Sequence, residues 1–211
     1  ENKKIILFAT HCFSDAPHHA GNLIFNDYYD QFISTLNFIR DNNLNNYYWI
    51  IKPHPARNNY GENGVIENHL KKLNLGNTIM CSNKMSNSVL LKNINYLITT
   101  NSTIALEYAC LGKKAILGGD APYYFPGIFF KPKSPKQYFF NIKNLNKKNT
   151  TLNSAQISKA KKVLYTLENF TNISLPSSKF IPNEVINRNL NNKSVYEKAL
   201  KLNFKNNLDK L

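Results

Sequence analysis

Three polar segments of this sequence carry side chains suited to binding phosphate or to moving protons. They are His11-Cys-Phe-Ser-Asp-Ala-Pro-His-His-Ala-Gly21, Lys52-Pro-His-Pro55 and Thr99-Thr-Asn-Ser-Thr-Ile-Ala-Leu-Glu107. Histidine exchanges a proton near neutral pH, carboxylates act as general bases, and hydroxyl groups donate hydrogen bonds to anionic oxygens. The sequence therefore offers the parts of an anion-binding or acid–base site, provided that the fold brings the segments together.

The third segment is typical of a junction between a strand and a helix. Unpaired N–H groups and the positive end of the helix dipole make such a junction a site for anions. Ser102 and Thr103 add side-chain donors there, and Asn101 is placed to be the N-cap; plain capping is the alternative interpretation. Glu107 lies one turn further on, on the helix face of Thr103, where it can accept hydrogen bonds from ribose hydroxyls or face solvent.

The second segment brackets a histidine with two prolines. Pro53 and Pro55 exclude helix and restrict the backbone on both sides of His54. A histidine held in this way can donate to a phosphate oxygen or protonate a leaving group, and a purely structural role is the alternative.

The first segment combines a carboxylate with several histidines. Asp15 is the candidate general base, and His11, His18 and His19 surround it in the sequence. The spacing matches no zinc template, so no metal site is predicted; a flexible loop is the alternative. The chain also contains no P-loop, no dinucleotide-binding G-x-G-x-x-G and no G-x-S-x-G motif.

The elements that position these segments alternate between strand-like and helix-like runs. Predicted strands cover residues 4–10, 47–51, 77–81, 96–100 and 114–118, and predicted helices cover 28–41, 62–73, 86–92 and 102–111. This alternation predicts an α/β fold with an open parallel sheet and helices on both faces. Since right-handed crossovers place the loops after the strands along one edge, the three polar segments are expected to converge there.

Composition and charge divide the chain at about residue 130. Residues 1–130 contain 11 basic and 9 acidic side chains, whereas residues 131–211 contain 16 basic and 4 acidic side chains. Arg188 is the one arginine within 131–211. We expect a nucleotide-binding domain over 1–130 and a basic extension over 131–211 packing on it, with helices at 135–145, 154–170 and 183–205. A lysine-rich surface attracts anionic membranes. The alternative is that these lysines have no function and reflect the composition of the whole chain, which is rich in Asn and Lys.

Several classes of protein are excluded at this point. No apolar stretch approaches the roughly 20 residues of a membrane-spanning helix, and no secretory leader is recognised. Cys12, Cys81 and Cys110 form no disulfide framework and are expected to be reduced thiols. Specific nucleic-acid binding is not expected, because no RNA-binding motif is present; nonspecific RNA binding through the lysines remains an alternative.

Four stretches together resemble bacterial capsular polysaccharide biosynthesis proteins: residues 11–18, Asn26-Asp-Tyr-Tyr29, Lys52-Pro-His-Pro55 and Thr100-Asn-Ser-Thr-Ile-Ala-Leu-Glu-Tyr-Ala109. These are glycosyltransferase-like proteins of GT-B architecture, related to the Kdo transferases of capsule assembly. More distantly, they are similar to polysialyltransferases and to the CDP-glycerol polymerases of teichoic acid. The resemblance covers about residues 4–120 and implies one Rossmann-like half of a GT-B fold, the donor-binding half.

The resemblance also implies roles for individual residues. His54 with Pro55, and Ser102 with Thr103, match the pairs that contact the donor phosphate, and Glu107 matches the acidic residue that holds the donor ribose. Asp15 and His54 are the expected catalytic residues. The remaining residues expected to contact the donor lie in the same three segments: His11, Ser14, His18, Lys52 and Asn101.

The implied activity is metal-independent transfer of a sugar from a nucleotide-activated donor to a glycan or glycolipid acceptor, without a cofactor. Kinship suggests a CMP-linked sugar. The resemblance leads us to expect that an acceptor-binding domain is missing on the N-terminal side, and that the isolated chain turns over little. The expected location is cytoplasmic, peripheral at the inner face of the membrane. The alternatives are a CDP-linked glycerol- or sugar-phosphate transferase and a nucleotide-binding module without catalysis.

Overall fold

A computed structural model describes residues 3–17, 21–82 and 85–170. Five strands form one sheet: β1 (Lys4–Ala9), β2 (Tyr47–Lys52), β3 (Thr78–Met80), β4 (Tyr96–Thr99) and β5 (Ile116–Leu117). Six helices connect or follow them: α1 (Tyr28–Asp41), α2 (Val65–Leu73), α3 (Asn87–Asn93), α4 (Ile104–Cys110), α5 (Pro135–Lys143) and α6 (Ser154–Phe170). Every strand pair is parallel and the order is β3-β2-β1-β4-β5, which confirms the predicted parallel α/β sheet.

The central strand β1 is buried on both faces of the sheet. Ile6 and Phe8 lie on one face and Leu7 on the other, since successive side chains alternate, and all three are buried. The face of Ile6 is covered by three helices, whose core residues include Phe32, Leu36, Ile66, Tyr138 and Ile142. On the opposite face, α4 packs against β4. Helices on both faces are therefore confirmed.

A local sequence signal sets the start of α3 but not the start of α4. The helix predicted over 86–92 has Ser86 as its N-cap, and the Ser86 hydroxyl accepts from Val89 N. The helix predicted to start at Ser102 begins two residues later, at Ile104, with Thr103 at the N-cap. The reason is that the Ser102 carbonyl accepts both from Ala105 N, in a tight turn, and from the Tyr123 hydroxyl.

A buried polar network lies beneath the carboxyl end of β4. Thr100 Oγ1 donates to Gln31 Oε1, and Gln31 Nε2 donates to the Tyr138 hydroxyl at 3.4 Å. Thr35 Oγ1 donates to the Gln31 carbonyl at 2.6 Å and lies 3.0 Å from the Tyr138 hydroxyl. Gly118 passes directly against the Gln31 amide, where a Cβ would find no room. The network holds the residue before Asn101 in place, because unpaired buried polar groups are costly.

The chain divides into two compact units, Glu1–Tyr165 and Thr166–Leu211. Tyr138, Ile142 and Leu145 belong to the same core cluster as the sheet, so α5 is part of the first unit. The domain boundary at residue 130 stays a prediction, and the helix predicted at 183–205 lies outside the described residues. Within the described part of the chain, no helix is both long enough and apolar enough to cross a membrane.

Candidate active site

The strand register brings the three polar segments to one edge of the sheet. Ala9 pairs with both Lys52 and Thr99, and His11, His54 and Asn101 each lie two residues beyond this row. They therefore leave the sheet at one level, with His11 in the middle. β2 and β4 are two strand spacings, or about 10 Å, apart. Strand order reverses between β1 and β4, which is where ligands bind in open α/β sheets.

Aromatic rings fill the space between His54 and Asn101. The His11 ring stacks on His54, with centroids 5.3 Å apart, and on Tyr28, with centroids 4.1 Å apart. The buried Asn101 amide lies 3.4 Å from the Tyr28 hydroxyl and donates to it. A continuous row of contacts thus joins the loops that follow β2, β1 and β4.

The His54 imidazole accepts hydrogen bonds through Nδ1. Ala56 N donates to this atom at 3.2 Å, and Cys12 Sγ lies 3.1 Å from it. Burial, reinforced by neighbouring His11, lowers the pKa of His54 below its ordinary value. His54 is therefore a neutral imidazole at pH 7 with its proton on Nε2, which suits donation to an anionic oxygen better than protonation of a leaving group.

A buried carboxylate shapes the loop after β1. Glu62 Oε1 accepts from Ser14 N at 2.9 Å, although the Ser14 side chain itself is exposed. Asp15 Oδ1 accepts from Ala16 N, and Asp15 Oδ2 lies 3.8 Å from His11 Nδ1. Asp15 is partly exposed and close to the histidine pair, a position compatible with the predicted role of base.

The hydroxyl pair after β4 does not cap helix α4. Thr103, not Asn101 as expected, occupies the N-cap position, and its side chain makes no capping hydrogen bond. Neither the Ser102 nor the Thr103 hydroxyl bonds to another described residue. Asn101 is instead turned inward to Tyr28. The plain capping interpretation therefore does not describe this junction, and both hydroxyls can meet a ligand.

Glu107 is held by an amide from the neighbouring helix. Asn87 Nδ2, on α3, donates to both Glu107 carboxylate oxygens at 3.2 Å. The Tyr123 hydroxyl donates to the Ser102 carbonyl, and burial followed by the charge of Glu107 raises the pKa of Tyr123. Glu107 is partly exposed, so the carboxylate keeps lone pairs for a further donor. It is neither a purely solvated residue nor a fully paired one.

The predicted residues thus form two groups joined at Asn101. One contains His11, Asp15 and His54, and the other contains Ser102, Thr103 and Glu107. Lys52 ends β2 beside the first group, whereas Pro55 is exposed. His18 lies outside the described residues.

Sequence reasoning missed five residues that complete the site: Cys12, Tyr28, Glu62, Asn87 and Tyr123. Cys12 lies in the first polar segment and Tyr28 in the Asn26-Asp-Tyr-Tyr29 stretch, but sequence reasoning assigned neither of them a role in the site. Glu62, Asn87 and Tyr123 reach the site from other elements. Across residues 3–17, 21–82 and 85–170, no group of three His, Cys, Asp or Glu side chains is arranged to hold a metal ion.

The solved structures that are similar to this chain include three surface-polysaccharide enzymes. Two are KpsC proteins of Thermosulfurimonas dismutans. The beta Kdo 2,4 transferase has 14% identity and a TM-score of 0.45, with 75% of this chain and 44% of that chain covered. The beta Kdo 2,7 transferase has 19% identity and a TM-score of 0.44, with 76% of this chain and 45% of that chain covered. The wall teichoic acid polymerase TagF has 17% identity and a TM-score of 0.44, with 93% of this chain and 44% of that chain covered. The chain spans less than half the length of each.

No curated protein matches the chain in sequence. A protein family does match, over residues 1–170, and it is described as capsule polysaccharide biosynthesis protein. The match extends from β1 through α6, and so includes both groups of site residues. It confirms the resemblance drawn from the four sequence stretches. Because most of its 211 residues are covered, this chain belongs to the capsule polysaccharide biosynthesis protein family.

Proposed function

We propose that this chain is the donor-binding half of a glycosyltransferase that transfers a sugar from a nucleotide-activated donor during synthesis of a capsule or surface polysaccharide. One observation carries the proposal: His54 and Asn101 flank His11 at the edge where strand order reverses, in a member of a capsule biosynthesis family. The proposed donor is a CMP-linked sugar, and an acceptor-binding domain would form the other wall of the cleft.

The chemistry of the two groups supports binding of a phosphate. His54 offers a neutral Nε2–H, and Ser102 and Thr103 offer hydroxyls that are not used for capping. Hydrogen-bond donors that face a leaving phosphate stabilise the negative charge that develops on it. We therefore propose that the leaving nucleotide is stabilised by these donors and that a divalent metal is not required.

Asp15 and Glu107 would have separate roles at the two ends of the site. Asp15 would take the proton of an acceptor hydroxyl as that oxygen bonds to the anomeric carbon and the bond from this carbon to the nucleotide phosphate breaks. Glu107, oriented by Asn87, would accept from the ribose hydroxyls of the nucleotide. With these two roles, the donor must extend from Ser102, Thr103 and Glu107 towards His11 and His54.

A nucleotide panel tests the proposal. We expect CMP and CDP to raise the Tm of the chain more than UMP, UDP, GDP or dTDP do. A ligand at tenfold its Kd contributes about 1.4 kcal/mol, which corresponds to about 3–6 °C for a chain of this size. Adding EDTA should leave the shifts unchanged. If no nucleotide changes Tm at millimolar concentration, the proposed donor site is wrong.

The lysine-rich part of the first unit supports a second element of the proposal, attachment to an anionic membrane surface from the cytoplasmic side. Residues 131–165 contain nine lysines and no acidic residue, and all of these lysines except Lys148 are exposed. Phe140, which is 62% exposed, lies beside Lys148, whose ammonium is 5.9 Å from the ring centroid. Each lysine close to an anionic membrane contributes about 1 kcal/mol.

Vesicle binding tests this element separately. The chain should sediment with vesicles that contain phosphatidylglycerol, remain in solution with pure phosphatidylcholine, and be released by high salt, since exposed charges are screened. Replacing Lys143, Lys147 and Lys148 with glutamine should weaken the binding. Equal sedimentation with both kinds of vesicle would contradict an electrostatic membrane contact while leaving the donor site untouched.

A further inference from the structure

The thiol of Cys12 lies against the imidazole of His54. Sγ and Nδ1 are 3.1 Å apart, and Cys12 is completely buried. Cys12 follows β1 by three residues and His54 follows β2 by two, and the two strands are neighbours in the sheet. The contact therefore joins two loops that are far apart in sequence but adjacent in the fold.

Two donors meet at His54 Nδ1. The Ala56 amide, 3.2 Å away, can only donate, so Nδ1 must carry a lone pair. The thiol can then only donate as well. Pro53 and Pro55 have no N–H, so the Ala56 amide is the first backbone donor after His54. Arg57 N donates to the His54 carbonyl at 3.1 Å, which forms a turn. The local backbone supplies one donor, and Cys12 supplies the other from across the sheet edge.

This pair is not arranged as a nucleophile and its base. Burial, together with the carboxylates of Glu62 and Asp15, raises the pKa of Cys12 to about 11. Burial of His54 lowers its pKa. Both shifts favour a neutral thiol beside a neutral imidazole, the reverse of the thiolate–imidazolium pair of reactive cysteines.

We propose that Cys12 is a positioning residue that acts through His54: its thiol donates to Nδ1 and holds the ring as the tautomer with the proton on Nε2. His54 then presents an N–H donor, rather than a lone pair, to the phosphate of a ligand. The inference deepens the proposed function and rests on it for the identity of the group that meets Nε2. The tautomer itself does not depend on a ligand.

Nitrogen-15 NMR of the histidine rings tests the tautomer directly, with His54 assigned by comparison with a His54→Asn variant. In the wild-type chain at pH 7.5, we expect Nδ1 to be unprotonated and Nε2 to be protonated. Cys12→Ala removes one donor that stabilises the neutral ring, so the pH midpoint of His54 should rise by about 0.5 to 1. The Ala56 amide still donates to Nδ1, so the Nε2–H tautomer should stay in the majority while its share of the population falls.

Cys12→Ser separates hydrogen bonding from packing. A hydroxyl is also a donor, so this variant should restore both the wild-type tautomer and the midpoint. Cys81→Ala is the matched control, because Cys81 is buried and its thiol donates to the Ser82 carbonyl rather than to His54. A protonated Nδ1 in the wild-type chain, or an unchanged His54 spectrum in Cys12→Ala, would overturn the proposal.

Binding of CMP at pH 8 provides a second readout. Cys12→Ala should bind CMP more weakly by up to about twofold, since a minority of the population holds the wrong tautomer, and Cys12→Ser should match wild type. Failure of CMP to bind the wild-type chain would count against the proposed function alone, because the NMR result decides the role of Cys12 without ligand.

Discussion

Replacing His54 with asparagine should weaken CMP binding about 10- to 100-fold while leaving the unliganded Tm within a few degrees of wild type. A hydrogen bond to a charged group contributes about 1.5–3 kcal/mol, which corresponds to this loss of affinity. Asparagine keeps an acceptor for the Ala56 amide, because its side chain bonds readily to the backbone two residues on, but it lacks the Nε2–H donor. Titration calorimetry with CMP measures the loss.

His54→Ala is the companion variant. It removes the acceptor as well as the donor, so the Ala56 amide loses its partner and the unliganded Tm should fall below that of His54→Asn. Both variants should lose CMP binding equally. If His54→Asn binds CMP as wild type does, or if it unfolds, His54 is a structural residue and the phosphate assignment fails.

The pH dependence distinguishes a neutral donor from an imidazolium. His54 is surrounded by His11, Cys12, Asp15, Lys52 and Glu62, and burial lowers its pKa below 6.5. Below about pH 6.5, His54 takes up a proton more readily in the unfolded chain than in the folded chain. The free energy of unfolding therefore falls as pH drops below about 6.5. CMP affinity should change little between pH 7 and 8.5, where the phosphate stays fully ionised. A tenfold loss per pH unit over that range would indicate that a protonated His54 is required.

Replacing Glu107 with glutamine should weaken CMP about tenfold and should weaken 2′-deoxy-CMP and inorganic phosphate far less. The charged carboxylate makes stronger hydrogen bonds to ribose hydroxyls than a neutral amide does. Glutamine still offers an oxygen to Asn87 Nδ2, so the junction between α3 and α4 should keep its stability. Competition against a fluorescent nucleotide measures all three ligands on one chain.

Two outcomes decide the role of Glu107. An equal loss for CMP, 2′-deoxy-CMP and phosphate would show that the carboxylate acts on the whole site rather than on the ribose. Asn87→Ala is the matched control: it leaves the charge in place but frees its orientation, and it should weaken CMP less than Glu107→Gln does.

Local patterns were enough to predict the sheet. Ile6, Leu7 and Phe8 are consecutive apolar residues, which is typical of a strand buried on both faces, and the structure places them in the central strand. The alternation of strand and helix then required parallel pairing, with the polar loops on one edge. The start of α4 was placed two residues early, because an interaction with the distant Tyr123 sets the turn that precedes it.

The site was predictable only as a set of segments on the same edge. His54 between two prolines, the Ser102–Thr103 pair and the Asp15 loop are all local signals in the chain. The partners that orient them are not: Tyr28 bridges to Asn101 across 73 residues, and Glu62 reaches back 48 residues to Ser14. Tyr28 lies in a stretch that carries the family resemblance, but nothing in the sequence around either residue shows which distant group its side chain meets.

The amino-acid sequence by itself determined the class of fold, the edge of the sheet that carries the chemistry and the residues that could perform it, since periodicity, prolines and turns act over a few neighbouring residues. The tertiary structure alone decided the strand order, the contact between Cys12 and His54, and the capture of Glu107 by Asn87. The reason is physical: a tautomer, a pKa and a hydrogen bond depend on which side chains meet in space, and packing between distant segments selects them.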